Sequence, residues 1–157
     1  MQTTKQATKQ ATKQANVASA TLGLAAMAAA ASATATAQAA AATITKHYGA
    51  KCLPGTPAPI GAAGKYASQT ISITSKGLAS LPARIASYTT SPSLANAIGA
   101  ALYSTLMACN GQTVTQYVAA CTAAGIWAST VQLKAGNTQH PANFLQAALK
   151  AKNVTLA

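Results

Sequence analysis

The sequence predicts an all-α protein in which a long N-terminal helical arm precedes a small C-terminal helical bundle. Residues 2–48 contain no proline and are rich in alanine, the residue that most favours helix. Residues 49–64 are rich in proline and glycine, which interrupt helices. After residue 77, apolar residues recur at intervals of three and four, the period of an amphipathic helix. We therefore divide the chain into an arm (1–48), a hinge that includes a short strand (49–76) and a helical bundle (77–157).

The arm begins with the repeat TKQATKQATKQA, residues 4–15. A repeat of four residues is close to the helical turn of about 3.6 residues, so equivalent positions stay on one face of a helix. An uncharged stretch of alanine, serine and threonine follows. In this stretch Gly23 is the one residue that strongly disfavours helix, by about 1 kcal/mol relative to alanine. The repeat thus predicts a stripe of lysine and glutamine, made of Lys5, Lys9, Lys13, Gln6, Gln10 and Gln14.

Two other interpretations of the arm stay open. A basic start, an apolar run around residues 22–31 and A-x-A motifs before residue 40 also fit a secretory signal peptide comprising residues 1–39. The whole uncharged stretch between Lys13 and Lys46 is long enough for a transmembrane helix but poor in Leu, Ile, Val and Phe. We prefer a retained helical arm.

The hinge contains Pro54, Pro57 and Pro59, which favour extended backbone. Its last part, SQTISITS (68–75), alternates polar residues with Ile71 and Ile73. This alternation predicts either a lone short strand at an edge or an extended linker.

Four helices are predicted in the bundle from their start and stop signals. The first spans 81–88 with Pro82 in its first turn, and the second begins at Ser91-Pro92 and ends at Asn110-Gly111. The third begins at Thr113, which forms a capping box with Gln116, and stops near Gly136; the fourth begins at His140-Pro141. The residues predicted to face inward are Leu81, Ile85, Tyr88, Leu94, Ile98, Leu102, Leu106, Cys109, Val114, Tyr117, Val118, Cys121, Gly125, Phe144, Leu145, Ala148 and Leu149.

The charge balance points to a polyanionic partner. The chain has 11 Lys plus Arg and no Asp or Glu among 157 residues. An ordinary domain is about 25% charged, so a complete lack of acids by chance has odds of roughly one in 10⁸ or less. Basic chains of this kind bind nucleic acid or an anionic membrane surface.

The kind of cation predicts how nucleic acid is bound. Arg84 is the one guanidinium, so bidentate recognition of guanine is nearly unavailable, and lysines contact phosphates as point charges. We therefore predict non-specific binding to the backbone of double-stranded DNA. The predicted binding residues are Lys5, Lys9, Lys13, Gln6, Gln10, Gln14, Lys46, Lys51, Lys65 and Arg84. Lys134, Lys150 and Lys152 are interpreted as cations at helix C-termini.

The missing carboxylates also argue against an enzyme. Paired-acid hydrolysis, Ser-His-Asp triads and carboxylate-bound magnesium or calcium sites cannot be built. The cysteines (Cys52, Cys109 and Cys121) and the histidines (His47 and His140) show no strong zinc spacing, so we expect no metal and no cofactor. Cys109 and Cys121 are predicted to be core residues about 10 Å apart along a hairpin, too far for a disulfide.

This layout resembles the major capsid proteins of filamentous and rod-shaped archaeal viruses (the rudivirus, lipothrixvirus and tristromavirus group). MQTTKQATKQATKQ corresponds to their basic N-terminal arm, and residues 91–154 correspond to their helical bundle. The resemblance implies a dimer, with a second copy or a paralogous coat protein, that wraps linear double-stranded DNA in A-form inside a helical virion, where a membrane envelope is a further partner. Two alternatives are an internal virion protein that acts on DNA and membrane during ejection, and a secreted basic protein from which residues 1–39 are removed.

Overall fold

The computed structural model describes residues 27–46, 66–91, 93–127 and 139–157. In chain order, the described residues form α1 (27–46), β1 (Ile71–Ile73), α2 (Ser75–Thr90), α3 (Leu94–Ala108), α4 (Val114–Ala124), α5 (Pro141–Lys150) and β2 (Val154–Leu156). The prediction of a mostly helical protein with a helical C-terminal body is confirmed. The small two-stranded sheet adds to the predicted all-α class, and residues 1–26 of the predicted arm lie outside the described residues.

Helix α1 packs onto the body through a stripe of small residues. Ala33, Ala37, Ala41 and Ile44 are spaced by four, four and three residues, and all are buried in the same hydrophobic cluster as the body. Threonine is a β-branched residue that disfavours helix, yet it is accommodated in α1. Thr34, Thr36 and Thr43 each donate a hydroxyl hydrogen bond to the carbonyl four residues earlier, at 3.0, 2.9 and 3.0 Å. Because alanine side chains are small, α1 can approach the body closely.

Helix α3 lies at the centre of the body and packs against α2, α4 and α5. Its predicted stripe is confirmed, since Ile98, Leu102, Leu106 and the following Cys109 are fully buried. In α4, the buried residues are Val114, Tyr117, Val118, Ala120 and Cys121, which include the four non-glycine residues predicted to face inward.

The predicted strand is confirmed, and it is paired on both sides. β1 pairs antiparallel with β2, with Ile71 opposite Leu156 and Ile73 opposite Val154. On its other side, the Ile71 amide donates to Gln112 O and the Gly111 amide donates to Ile71 O, both at 2.8 Å. The expectation of a lone edge strand is therefore wrong: β1 lies between β2 and the α3–α4 loop.

Three predicted helix boundaries are corrected by local capping. α2 begins at Ser75 because the Thr74 hydroxyl caps Gly77 N, so Pro82 lies inside the helix and not in its first turn. The N-cap of α3 is Ser93 instead of Ser91: the Ser93 hydroxyl accepts from Asn96 N at 3.1 Å. α4 ends at Ala124, well before residue 136, because Gly125 adopts a left-handed conformation, φ 70°, and forms its C-cap.

The other two helix starts agree with the sequence analysis. Thr113 and Gln116 form the predicted capping box at the start of α4. His140 is the N-cap of α5, where its Nδ1 accepts a hydrogen bond from Ala142 N at 3.0 Å, and Pro141 occupies the first helical position.

Candidate nucleic-acid interface

Two of the predicted binding residues lie in the described part of the chain. Lys46 is the last residue of α1 and is exposed, and Arg84 is exposed on α2. The other predicted residues, which are Lys5, Lys9, Lys13, Gln6, Gln10, Gln14, Lys51 and Lys65, lie outside the described residues.

Arg84 stacks on an aromatic cluster that joins α2, α3 and α5. Its guanidinium carbon lies 5.4 Å from the centroid of the Tyr103 ring. Tyr103 also stacks on Tyr88 at 6.0 Å and meets Phe144 edge-on at 4.9 Å. Burial raises the pKa of Tyr103, an effect that the positive charge of Arg84 partly opposes. Because stacking uses the face of the guanidinium, the in-plane N–H groups of this exposed residue remain able to donate to phosphate.

A second group of cations surrounds the C-terminal end of α5. We call Lys76, Lys150 and Lys152 the α5 lysine cluster. Lys76 comes from the first turn of α2, yet its Nζ donates to the carbonyl of Ala151, the C-cap of α5, at 2.8 Å. Lys150 is in the last turn of α5, and Lys152 follows one residue after the cap. All three lysines are exposed.

Hydrogen bonds between the start of α2 and the end of α5 hold this cluster together. The Thr74 amide donates to Asn153 O at 3.0 Å, and the Thr74 hydroxyl donates to Lys152 O at 2.8 Å. Ser80 adds a hydroxyl bond to Asn153 Oδ1 at 3.0 Å. Asn153 is itself buried, so the backbone that carries Lys152 is fixed from both sides.

The turn after α5 is a Schellman motif with lysine at the usual glycine position. The Asn153 amide donates to Ala148 O and the Lys152 amide donates to Leu149 O, both at 2.9 Å. Lys152 has φ 58°, the one positive φ of a non-glycine residue in the described part of the chain. A left-handed conformation costs an L-residue about 1–2 kcal/mol compared with glycine. A charged side chain therefore stands at a position where backbone energetics favour glycine.

The α5 lysine cluster has no acidic partner. The chain contains no Asp or Glu, so the neutralising groups available to these ammonium groups are backbone carbonyls and the negative end of the α5 dipole. Lys76 also sits in the first turn of α2, where the helix dipole disfavours a cation. Arg84 is eight residues further along α2, about 12 Å along the helix axis. Positive charge is thus concentrated around the C-terminal end of α5, which favours binding of an anion there.

None of the lysines of this cluster is among the binding residues predicted from the sequence. Lys150 in the last turn of α5 and Lys152 directly after its C-cap both lie at a helix C-terminus, as predicted, and Lys134 lies outside the described residues. Lys76 was missed because it meets Ala151 across 75 residues of sequence. The available signal was the alternating segment Val154-Thr155-Leu156, which matches Ile71-Ser72-Ile73 as a strand partner.

The described cysteines are buried in the core. Cys109 and Cys121 are core residues, as predicted; both are free thiols, and burial raises the pKa of Cys109 to about 12. Burial also raises the pKa of Cys121 and of Tyr117 well above their ordinary values. Among the described residues, no three His, Cys, Asp or Glu side chains form a group that could hold a metal ion. Within the same residues, we find no helix with the length and apolar character needed to cross a membrane.

Comparison with known proteins gives no relative. No protein-family model, no curated protein and no solved structure matches this chain.

Proposed function

We propose that this protein is a structural coat protein that binds the backbone of double-stranded DNA without sequence specificity and polymerises into a helical virion. The observation that carries the proposal is the charge balance: eleven positive side chains and no negative one. Duplex DNA carries one phosphate charge per about 1.7 Å, so one copy offsets roughly 19 Å of duplex. Coating a genome then requires many copies side by side.

The described cations support backbone binding. The lysines of the α5 lysine cluster meet at the end of α5, and the chain has no Asp or Glu side chain that would compete with phosphate for them. Lysine contacts phosphate as a point charge, and the hydroxyls and amides of Thr, Ser and Gln add neutral hydrogen bonds. The predicted stripe of Lys5, Lys9 and Lys13 would add a second contact from the arm.

The character of the exposed helix surfaces supports assembly from copies of this chain or a paralogous coat protein. The exposed positions of α1 include Ala35, Ala39 and Ala42, small residues that allow a neighbouring helix to approach closely. Two large hydrophobic side chains, Met27 and Leu78, are 74% and 60% exposed, so each offers an apolar contact to a neighbour. Among the described residues these surfaces carry no negative charge.

The burial of α1 supports a mature protein that keeps residues 1–39. Ala33 and Ala37 are 2% and 0% exposed, so cleavage after residue 39 would remove two alanines from the core. This favours the virion protein over the secreted form.

Salt dependence of DNA binding tests the proposal. For a protein that neutralises Z phosphates, the logarithm of affinity falls with the logarithm of salt concentration at a slope of about −0.9Z. Replacing Lys5, Lys9 and Lys13 together by Gln should flatten the slope by about three units. Lys152→Gly should flatten it by about one unit while relieving the left-handed backbone strain, so its loss of binding is separable from unfolding.

Gln146→Ala is the matched control, because Gln146 is an exposed neutral residue of α5 next to the cluster. Its slope should equal that of the unmodified protein. An unchanged slope in both lysine variants would overturn the proposed interface. Electron microscopy should show filaments with nuclease-protected DNA; leakage of anionic liposomes at low salt without filaments would support the ejection protein instead.

A further inference from the structure

The loop between α3 and α4 contains the dipeptide Asn110-Gly111, and both of its residues are exposed. It is the one Asn-Gly pair in the sequence. An asparagine followed by glycine is prone to deamidation, because glycine has no side chain to shield its backbone nitrogen from the asparagine side chain. A Cβ built on Gly111 would meet no atom within 4 Å, so the space around this nitrogen is open to water.

Deamidation here begins with attack of the Gly111 backbone nitrogen on Asn110 Cγ. The Gly111 amide first loses its proton to hydroxide. A bond then forms between this nitrogen and Cγ, the Cγ–Nδ2 bond breaks, and Nδ2 takes a proton from water and leaves as ammonia. Water next opens the resulting succinimide ring at either of its carbonyl carbons, which gives aspartate or isoaspartate. The net reaction consumes one water and releases one ammonia, with no oxidation or reduction.

In the folded protein, strand β1 holds both reacting groups. The Gly111 amide donates to Ile71 O at 2.8 Å, so the proton that must leave is engaged. Asn110 Oδ1 accepts from Ile73 N at 2.9 Å, which fixes the position of Cγ. Because Ile71 and Ile73 belong to the same strand, release of β1 from the loop frees the nitrogen and the side chain together.

The other contacts of β1 resist this release. Ile71 is fully buried, and its amide donates to Gln112 O at 2.8 Å. β1 also pairs with β2 along its other edge. One neutral hydrogen bond changes an equilibrium constant by roughly fivefold, so the two bonds that hold the dipeptide give roughly 30-fold protection by themselves.

We propose that Asn110 is a modification site at which release of β1 controls the conversion of asparagine to aspartate or isoaspartate. The reaction places a carboxylate in a chain that has no Asp or Glu and lowers its net charge of +11 by one. Aspartate keeps an acceptor for Ile73 N, whereas isoaspartate adds a methylene to the backbone and moves Gly111 N away from Ile71 O. The site thus records the time that each copy spends with β1 released, independently of the proposed binding of DNA.

Peptide mapping by mass spectrometry measures this reaction in the full chain, incubated at mildly alkaline pH in buffer and in guanidinium chloride. Asn110 should deamidate at least roughly 30 times faster in the denaturant. Asn96 is the internal control, because the alanine that follows it shields the next nitrogen. Equal rates at Asn110 in the two solutions would overturn the control by β1. A rate in denaturant no higher than that of Asn96 would overturn the site itself.

Two variants separate release of β1 from unfolding of the whole protein. Ser72→Gly weakens β1 at an exposed position, and Ala86→Gly weakens the C-terminal half of α2 at an exposed position. Glycine disfavours strand and helix by similar amounts, so Ser72→Gly should raise the rate in buffer by roughly two- to fivefold while Ala86→Gly leaves it unchanged. Equal acceleration in both variants would mean that deamidation requires global unfolding, which overturns the role assigned to β1. No acceleration in Ser72→Gly would overturn it as well.

Discussion

Gly77 lies directly against the backbone of Asn153. A Cβ built on Gly77 would overlap the carbonyl oxygen of Asn153 and would lie 2.9 Å from Ile73 Cγ2. This close approach lets the first turn of α2 reach the end of α5, where Lys76 binds the Ala151 carbonyl. The packing of α2 on the turn before β2 and the positions of the clustered lysines therefore depend on the same glycine.

Gly77→Ala should destabilise the protein even though alanine favours helix. The added methyl meets backbone atoms that cannot rotate away, and overpacking of this kind costs about 1–3 kcal/mol or more. Urea unfolding followed by circular dichroism measures the loss. Ala79→Ser, on the exposed side of the same helix, should change the free energy of unfolding by less than about 0.5 kcal/mol. A stabilised Gly77→Ala variant would show that the two segments are further apart.

Pro82→Ala should stabilise the protein. Pro82 lies inside α2, where it lacks the amide that would donate to Leu78 O; both residues are exposed, so water reaches this carbonyl. Proline in a helix interior is about 3 kcal/mol less favourable than alanine, and a gain of up to that size in the free energy of unfolding is expected.

Pro141→Ala is the contrasting control for this measurement. Pro141 occupies the first position of α5, where proline suits the helix, and it is buried. The substitution should give no stabilisation. Equal changes in the free energy of unfolding for the two substitutions would contradict the interior position of Pro82.

Stability should fall at alkaline pH. Burial raises the pKa of Cys109 to about 12, whereas an unfolded thiol titrates near 8.5. Between these values the unfolded state has lost a proton that the folded state keeps, so the free energy of unfolding decreases as pH rises, by about 1.4 kcal/mol per pH unit for one thiol. Cys121 and Tyr117, whose pKa values are also raised, add to the loss. Below about pH 8 this stabilisation is fully present.

Denaturant unfolding measured from pH 8 to 11 checks this slope. Cys109→Ala should be less stable at pH 8, because it leaves a small cavity, but its stability should decline less steeply with pH. A parallel decline in both proteins would mean that Cys109 does not titrate on unfolding.

Acid should destabilise the fold of this protein much less than it destabilises most proteins. Acid unfolding usually follows protonation of paired carboxylates, and the chain has no Asp or Glu side chain to protonate. Within the described residues, His140 Nδ1 accepts from Ala142 N at the start of α5, a hydrogen bond that a doubly protonated imidazole does not accept. Loss of this N-cap costs about 1 kcal/mol. Circular dichroism should therefore still show a folded helical protein at pH 3.

His140→Ser separates the loss of the N-cap from any other effect of acid, because serine caps a helix without titrating in this range. Its free energy of unfolding should be nearly constant between pH 7 and pH 3. Cooperative acid unfolding of this variant would contradict the explanation that the lack of Asp and Glu makes the fold resistant to acid.

The correctly predicted features depend on local chemistry. Thr113 with Gln116, and His140 with Pro141, carry their capping signals within four residues, and Leu102 belongs to a regular apolar stripe. The features that were missed depend on distant contacts. β2 is three residues long and becomes a strand by pairing with β1, and Lys76 meets Ala151 through this pairing.

One error and one missing prediction arise from sequence patterns with more than one solution. Ser91 and Ser93 flank Pro92, and either serine can cap a helix; in the structure Ser93 caps α3, while Ser91 O accepts from the Asn96 side chain. In α1, alanine occupies so many positions that composition does not reveal which face is buried. The face containing Ala33 and Ala37 is defined by the body it contacts.

The alanine stripe of α1 also determines how firmly that helix is attached. Within the described residues, three alanine methyls and one isoleucine are buried, which gives roughly 4 kcal/mol of hydrophobic stabilisation before the entropy of ordering is subtracted. α3 buries far larger side chains. Helix α1 is therefore poised to detach as a unit while the remaining helices stay folded, and its amides should exchange with solvent deuterium sooner than those at the centre. Such opening would expose Ala120 and the face of α4 that α1 covers.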